Sequence, residues 1–351
     1  MTTIKTNPHR AVDYSESGIK KALAAAGSLE AEVKYDGVRV NIPVFPDGRT
    51  EWLSRESKAL PALDHLSTSG QDIGNCKASD WRWFLKQAGY EGVGLMIDGE
   101  VMVKGVDFNT SSGLIRTKYL KDANKGFDTR SLLDWDKKLW GTKTLFKLAP
   151  NKLQVIVYGI IDLPTIADPK AEGPIHSLTR LKAEAVVPML NKYFPEIEWV
   201  LSESHTVFDL ESLQSLYEEK RAEGHEGLVV KDPLGRYKRG KKSGMWKMKP
   251  EETIDGTVCG LVWGTPGKAN EGKVIGFEVL LEDDMVVNAC GLTEAQKDEF
   301  TAAVKDYPEH EEFFNGWQVE VLYMERFSDG SLRHPSFKCW RGTEDNPTIK
   351  S

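Results

Sequence analysis

The 351 residues are enough for two domains with separate cores. Hydrophobic residues make up 40% and charged residues 28%, and no apolar run approaches a membrane span, so membrane insertion is not expected. Four scattered cysteines (Cys76, Cys259, Cys290, Cys339) without a CxxC pair argue against a zinc cluster or disulfide framework. The start "MTTIKTNPHRAVDY" has no apolar signal core, so a reducing cytoplasm is the expected compartment.

In chain order, "ESGIKKALAAAG" (16–27) predicts a helix with Gly27 as its C-cap. Strands are predicted at 29–35, 38–45, 50–55 and 94–103, with tight turns at Asp36-Gly37 and Asp47-Gly48. A hairpin on Asp36-Gly37 sets Tyr35 against Val38 and Val33 against Val40 on an apolar face. Glu32, Lys34, Arg39 and Asn41 then share the other face, with Lys34 opposite Arg39. Opposed cations weaken a strand pair, and an anion between them would relieve the conflict.

Residues 104–150 are weakly periodic and read as an excursion from the core. "KLQVIVYGIIDL" (152–163) reads as a buried strand. Ser177 is expected to cap a helix reaching about 194, strained at Pro188. Asp209 opens a helix with Leu210, Leu213, Leu216 and Tyr217 at helical spacing, closed by Gly224. "EGLVVK" (226–231) is the next strand. Past Pro250, strand patterns fall near 256–263, 274–281, 285–290, 317–324 and 331–340. One helix, opened by the capping box Thr293/Gln296, interrupts them. Five short strands with a helix between the third and fourth predict an OB-fold barrel, giving domains 1–252 and 253–351.

The net charge of -7 hides an asymmetry. From residue 251 onward there are 9 Lys+Arg against 20 Asp+Glu, whereas residues 1–250 hold 37 against 33. Within 234–250, "LGRYKRGKKSGMWKMKP" carries seven basic residues and no acid, a footprint for phosphate or nucleic acid unless it is a solvated loop. Lys34 is the candidate nucleophile. A lysine must lose its proton to attack, and neighbouring cations favour that loss. If Arg39, Lys231, Lys247 and Lys249 converge on it, they would also hold a phosphate and stabilise charge on oxygens in transfer.

"KYDGVR" resembles the KxDGxR signature of the covalent nucleotidyltransferases, which include ATP-dependent DNA ligases, RNA ligases and mRNA capping enzymes. "SRESK" (54–58), "MIDGEV" (96–101), "VIVYGIIDL" (155–163), "EGLVVKD" (226–232) and "WKMK" (246–249) follow in that superfamily's order. With "VDFNTSSGLIRTK", "KRGKKSG" and "SLRHPSF", the likeness to short bacteriophage DNA ligases extends over nearly the whole chain.

The resemblance implies an α+β protein, a mixed and largely antiparallel adenylation domain followed by a five-stranded OB barrel. It implies Lys34 as the residue that takes AMP, and Glu32 on the adenine side. Arg39 and Arg55 would contact sugar and phosphate, and Glu100 ribose or metal. Tyr158 would stack on adenine; from pattern alone, a core aromatic of the buried strand is nearly as good a reading of it. Glu226 would support the metal. Lys231, Lys241 and Lys247, with Lys249 beside them, would hold phosphates. ATP and magnesium are the implied cofactors, and nicked duplex DNA is the implied partner of a monomeric enzyme.

Lys238, Arg239, Lys242, Arg333 and Arg341 are the expected DNA contacts. The acidic second domain would present Lys268, Lys273, Arg333 and Arg341 as a local basic face. Its last motif reads "RHPSFKCWRGTED", without the terminal lysine of the usual pattern. An RNA ligase, a GTP-using capping enzyme and a nucleic-acid binder with a dead nucleotide site are the alternatives.

Overall fold

The computed structural model describes residues 4–73, 76–120, 145–307, 310–324, 326, 330–343 and 345–350. Most of the 104–150 excursion therefore lies outside the described residues, apart from the helix Phe108–Arg116 and the flanking segments. Contacts divide the chain into Met1–Met248 and Lys249–Ser351, against the predicted division after residue 252.

The first unit holds two five-stranded sheets. Strands are β1 (His9–Asp13), β2 (Leu29–Lys34), β3 (Val38–Val44), β4 (Leu53–Ser54), the short ribbon β5 (Asp72–Ile73) and β6 (Cys76–Lys77), and β7 (Leu95–Val103). They continue with β8 (Leu153–Asp162), β9 (Glu198–Leu201), β10 (Ser204–Val207), β11 (Gly227–Lys231) and β12 (Gly240–Met248). One sheet has the order β1-β12-β11-β2-β10 and the other β4-β3-β7-β8-β9. Both are mostly antiparallel, with parallel pairs β1/β12 and β8/β9 at their edges.

Alternation explains how each sheet is built. In β3, Val38, Val40 and Ile42 enter a core completed by Ile97, Val101, Val155 and Val157, with Trp81, Phe84, Val186 and Leu190 from two helices. In β2, Leu29 and Ala31 pack with Ile19, Leu213, Leu228 and Trp246. Each fully buried Val, Leu or Ile contributes about 1.5–3 kcal/mol, so a register slip that exposed one face would be prohibitive. The intervening residues point away from these cores. They are Glu32 and Lys34 on β2, Arg39 and Asn41 on β3, and Asp98 and Glu100 on β7.

The predicted Asp36-Gly37 hairpin does not form. β2 pairs with β10 and β11, whereas β3 pairs with β4 and β7 in the other sheet. Lys34 lies opposite Gly227 and Arg39 opposite Glu100. Nor does Gly37 supply a positive φ. It is required because a Cβ there would sit 2.7 Å from Glu100 Cγ and 2.9 Å from the Val101 carbonyl oxygen. Asp47-Gly48 does turn as expected, with Gly48 at φ 84°.

Other boundaries follow their caps. Gly27 ends the helix Glu16–Ala26 in the left-handed region, and the Asp209 carboxylate accepts from Ser212 N. Ser177 is not a cap. The helix runs His176–Tyr193 from Ile175, and Pro188 stays inside it on an exposed face, where water can take the carbonyl it cannot bond. The predicted strand 50–55 is reduced to β4, beside a bridge at Thr50. Part of the basic stretch is itself a strand, β12, seated between β1 and β11.

The second unit is a closed barrel, β13-β14-β15-β17-β16. Its strands are β13 (Glu252–Trp263), β14 (Val274–Leu281), β15 (Val286–Cys290), β16 (Gln318–Tyr323) and β17 (Ser336–Trp340). The helix Glu294–Lys305 lies between the third and fourth strands and carries the Thr293/Gln296 capping box. Phe277 packs among Phe300, Phe314, Phe337 and Trp340, an aromatic centre that closes the barrel. This is the OB-type architecture read from the sequence.

Candidate active site

The two sheets of the first unit bring their polar residues together. From the first sheet come Lys34 and Glu32 on β2, Lys231 on β11, and Glu226 just before β11. Lys34 Nζ donates to Glu226 Oε2 in a short ion pair that leaves the lysine side chain 24% exposed and Glu226 8% exposed. Lys231 Nζ donates to Glu32 Oε1 at 2.6 Å, and both residues are buried. A buried ion pair is tolerated when each charge has a partner of good geometry.

From the second sheet, Arg39 makes a two-pronged contact to Asp98, Nε to Oδ1 at 2.7 Å and Nη2 to Oδ2 at 2.8 Å. Asp98 also accepts from Asn41 Nδ2 at 2.8 Å and from Tyr237 Oη at 2.9 Å. Burial opposes the Arg39 charge, and Asp98 outweighs it, holding the guanidinium above its usual pKa. Tyr158 on β8 donates to Glu100 Oε2 at 3.3 Å. Its ring lies 5.0 Å from Arg39 Cζ and 5.8 Å from Lys231 Nζ, so the two sheets meet at this ring. Burial pushes the Glu100 carboxyl up to about 7. Arg39 and Lys34 pull it down, and the Glu226 charge adds to the rise.

The predicted facing of Lys34 and Arg39 across a hairpin is corrected: the partner the structure gives Lys34 is a carboxylate. Hairpin geometry placed Arg39 across from Lys34, but separation of β2 and β3 into different sheets gives each its own acid.

The remaining predicted residues divide. Lys241 and Lys247 both reach Asp13, at 2.9 Å each. Lys249 follows β12 and is grouped with the second unit. Arg55 is exposed at 63% and pairs with Glu56 at 3.4 Å. Lys238 and Lys242 are exposed, as an electrostatic footprint requires. Arg239 is committed to the chain itself. Its guanidinium donates to the carbonyls of Lys5 at 3.2 Å, Thr165 and Asp168 at 3.1 Å, and Ile166.

In the barrel, Arg333 is buried at 8% exposure, and Arg341 pairs with Asp255 at 2.8 Å and Glu320 at 3.4 Å. Lys273 pairs with Asp298 at 2.6 Å. Of the four residues expected to form a basic face, Lys273 and Arg341 are thus paired with the barrel's own acids, and Lys268 is exposed.

Sequence reasoning missed the residues that brace the site. Asp98 stands in the quoted "MIDGEV" two residues before Glu100, so alternation alone places both on one face. Thr6 is fully buried and donates to Asn41 Oδ1 at 3.1 Å. His9 and His176 touch at 3.1 Å between Nδ1 and Nε2. His9 also meets Lys242 O at 3.1 Å, and the Lys238 amide donates to its Nδ1 at 3.2 Å. Burial holds these imidazoles down, to about 4 for His9 and about 3 for His176. No local pattern marks the histidines, because their neighbours come from distant segments.

A family model described as the ATP dependent DNA ligase domain matches residues 10–249. The chain belongs to the ATP-dependent DNA ligases. The model of the DNA ligase C-terminal domain matches residues 250–314 of this ligase, within its barrel unit. The DNA ligases of Escherichia phage T7 and Enterobacteria phage T3 are each 49% identical to it, and each alignment covers 100% of both chains. A solved structure described as the ATP-dependent DNA ligase from bacteriophage T7 in complex with ATP is 47% identical. It superposes on this ligase with a TM-score of 0.64, covering 97% of this chain and 100% of that one. Among the described residues no helix is long and apolar enough to cross a membrane.

Proposed function

We propose that this ligase seals nicks in duplex DNA by three transfers centred on Lys34. The observation that carries this reading is the Lys34–Glu226 pair, an amine held at the meeting of two sheets and still reachable by solvent. The Lys34 amine attacks the α-phosphate of ATP, a nitrogen–phosphorus bond forms, and pyrophosphate leaves. The AMP then passes to the 5′-phosphate of the nick. The 3′-hydroxyl attacks that phosphate, AMP departs, and the strand is joined.

Glu226 orients the amine until substrate arrives. Glu32, fixed by Lys231, faces the adenine side, and the Tyr158 ring offers a stacking surface whose hydroxyl is anchored on Glu100. Arg39, immobilised by Asp98, contacts the nucleotide without needing to be ordered on binding. Arg55 lies exposed beyond β4, free to turn towards the sugar and phosphates. Lys231, Lys241 and Lys247, with Lys249 after them, hold the phosphates. Lys238 and Lys242 meet DNA phosphates.

The site's chemistry fits magnesium. Glu100 and Glu226 are hard oxygen donors, and a divalent cation would offset the burial that otherwise pushes the Glu100 carboxyl up to about 7. When bound, magnesium would neutralise charge on the departing pyrophosphate. We take the working unit to be a monomer. Its need for ATP supports a cytoplasmic setting.

The experiment is an intact mass after incubation with magnesium and each nucleoside triphosphate, followed by transfer to nicked duplex. One AMP adduct from ATP alone, lost on adding nicked DNA as joined product appears, is expected. An adduct from GTP instead, or joining confined to RNA strands, would overturn the reading.

A further inference from the structure

One carboxylate outside the motifs engages two of the three lysines of β12. Asp13, at the end of β1, takes Lys247 Nζ on Oδ1 and Lys241 Nζ on Oδ2, each at 2.9 Å. The parallel pairing of β1 with β12 sets Asp13 beside Lys247 in register, so the contact is built into the sheet edge. An anion with one oxygen on each of two ammonium groups has the same form as a phosphate bridged by two lysines. The arrangement is also open, with Asp13 61% exposed, Lys241 53% and Lys247 27%. Exposed ion pairs are weak, so an incoming phosphate can displace this one. The hydrogen bonds from Lys247 and then Lys241 hold the Asp13 carboxyl down at about 2, so it remains an anion near neutral pH.

We propose that Asp13 is an internal competitor for phosphate, occupying the Lys241–Lys247 pair until the phosphoanhydride of ATP enters and reclaiming it as pyrophosphate leaves. The inference rests on reading these two lysines as phosphate holders. Its consequence is a lower affinity for both ATP and pyrophosphate than the lysines alone would give, and hence easier product release. A DNA phosphate offers the same chemistry, so the test must separate the two sources.

The test uses the full-length Asp13→Asn protein. Three quantities are measured at low and high salt: the ATP concentration giving half-maximal adduct formation, the inorganic pyrophosphate concentration halving it, and the dissociation constant for nicked duplex. The first two are expected to fall by about three- to tenfold at low salt, to converge with the parent at 1 M salt, and to return to parental values in Asp13→Glu. Unchanged values, or a rise in either, would overturn the proposal, a rise meaning that Asp13 positions the lysines rather than competing for them. A change confined to DNA affinity also overturns it and assigns the pair to the duplex. Lys247→Gln separates the two failures. If that variant does not alter pyrophosphate inhibition, the phosphate-holder reading has failed. If it does while Asp13→Asn does not, only the competitor role has failed.

Discussion

Lys34 and Arg39 stand five residues apart in "KYDGVR" and live in opposite circumstances. On the β3 side, Arg39 is clamped by both oxygens of Asp98, which also receives Asn41 and Tyr237. On the β2 side, Lys34 meets a carboxylate oxygen of Glu226 and keeps solvent access. The difference teaches how one site combines rigidity with reactivity. A carboxylate surrounded by four donors in the interior is scaffold, because displacing any donor exposes an unsatisfied partner. An ammonium with three donors and one carboxylate contact can exchange that partner for a phosphate.

Five variants would break or sharpen this contrast. The largest effect is expected on the exchangeable side. Lys34→Ala should abolish the AMP adduct in the intact mass while leaving the melting temperature within a few degrees, because Lys34 does not enter either core. An adduct that persists refutes the nucleophile assignment. On the scaffold side, Asp98→Ala should lose about 3–5 kcal/mol in denaturant unfolding, because the Arg39 charge is left without its partner. A loss under 1 kcal/mol would mean that the hub is not scaffold.

The scaffold side continues through His9, whose carbonyl accepts from Arg39 Nη2 at 3.4 Å. His9 and His176 have folded pKa values near 4 and 3, below the ordinary 6.5. The unfolded chain therefore takes up their protons first. Stability should be complete above about pH 6.5 and should fall as pH drops from there towards the folded values. The slope is at most about 2.7 kcal/mol per pH unit for two groups. The double variant His9→Gln/His176→Gln should flatten that acid limb in unfolding curves between pH 7 and 4. An identical limb would exclude the pair as its cause.

The smallest effect concerns the outermost cations. Replacing Lys238 and Lys242 with Gln should reduce the slope of log affinity for nicked DNA against log salt by about 1.8, near 0.9 per phosphate contact. Arg239→Gln is expected instead to lower stability, since its donors serve backbone carbonyls. A change in salt slope with unchanged stability would reverse that distinction.

Much of this was legible in one dimension. Periodicity and caps located the helices at 16–26 and 210–222, and the strand–helix order of the second unit announced a barrel. Alternation placed Glu32 with Lys34, and Arg39 with Asn41, on polar faces. Other elements were not legible. β1, β9 and β10 are short edge segments without a strong pattern, and their conformation comes from the strands they pair with. The start of β12, "GKKSG", carries no strand pattern because it mixes glycine and lysine. It becomes a strand through β1, which pairs with Gly240 and Lys241, while β11 pairs with Met245–Met248.

By itself the sequence determined local geometry and chemistry: which residues alternate, which cap, which lysine occupies the motif's first position. Those properties reside in a few consecutive residues and their dihedral preferences. Only the tertiary structure decided partners. It parted β2 from β3, gave Lys34 an acid from 192 positions away, and gathered four donors on Asp98. It made Gly37 necessary through the closeness of β7 rather than through a turn, and set Asp13 against two lysines more than two hundred residues downstream. Which charges meet across such separations is settled when the sheets bury their apolar faces, because the polar residues are carried to wherever that packing leaves them.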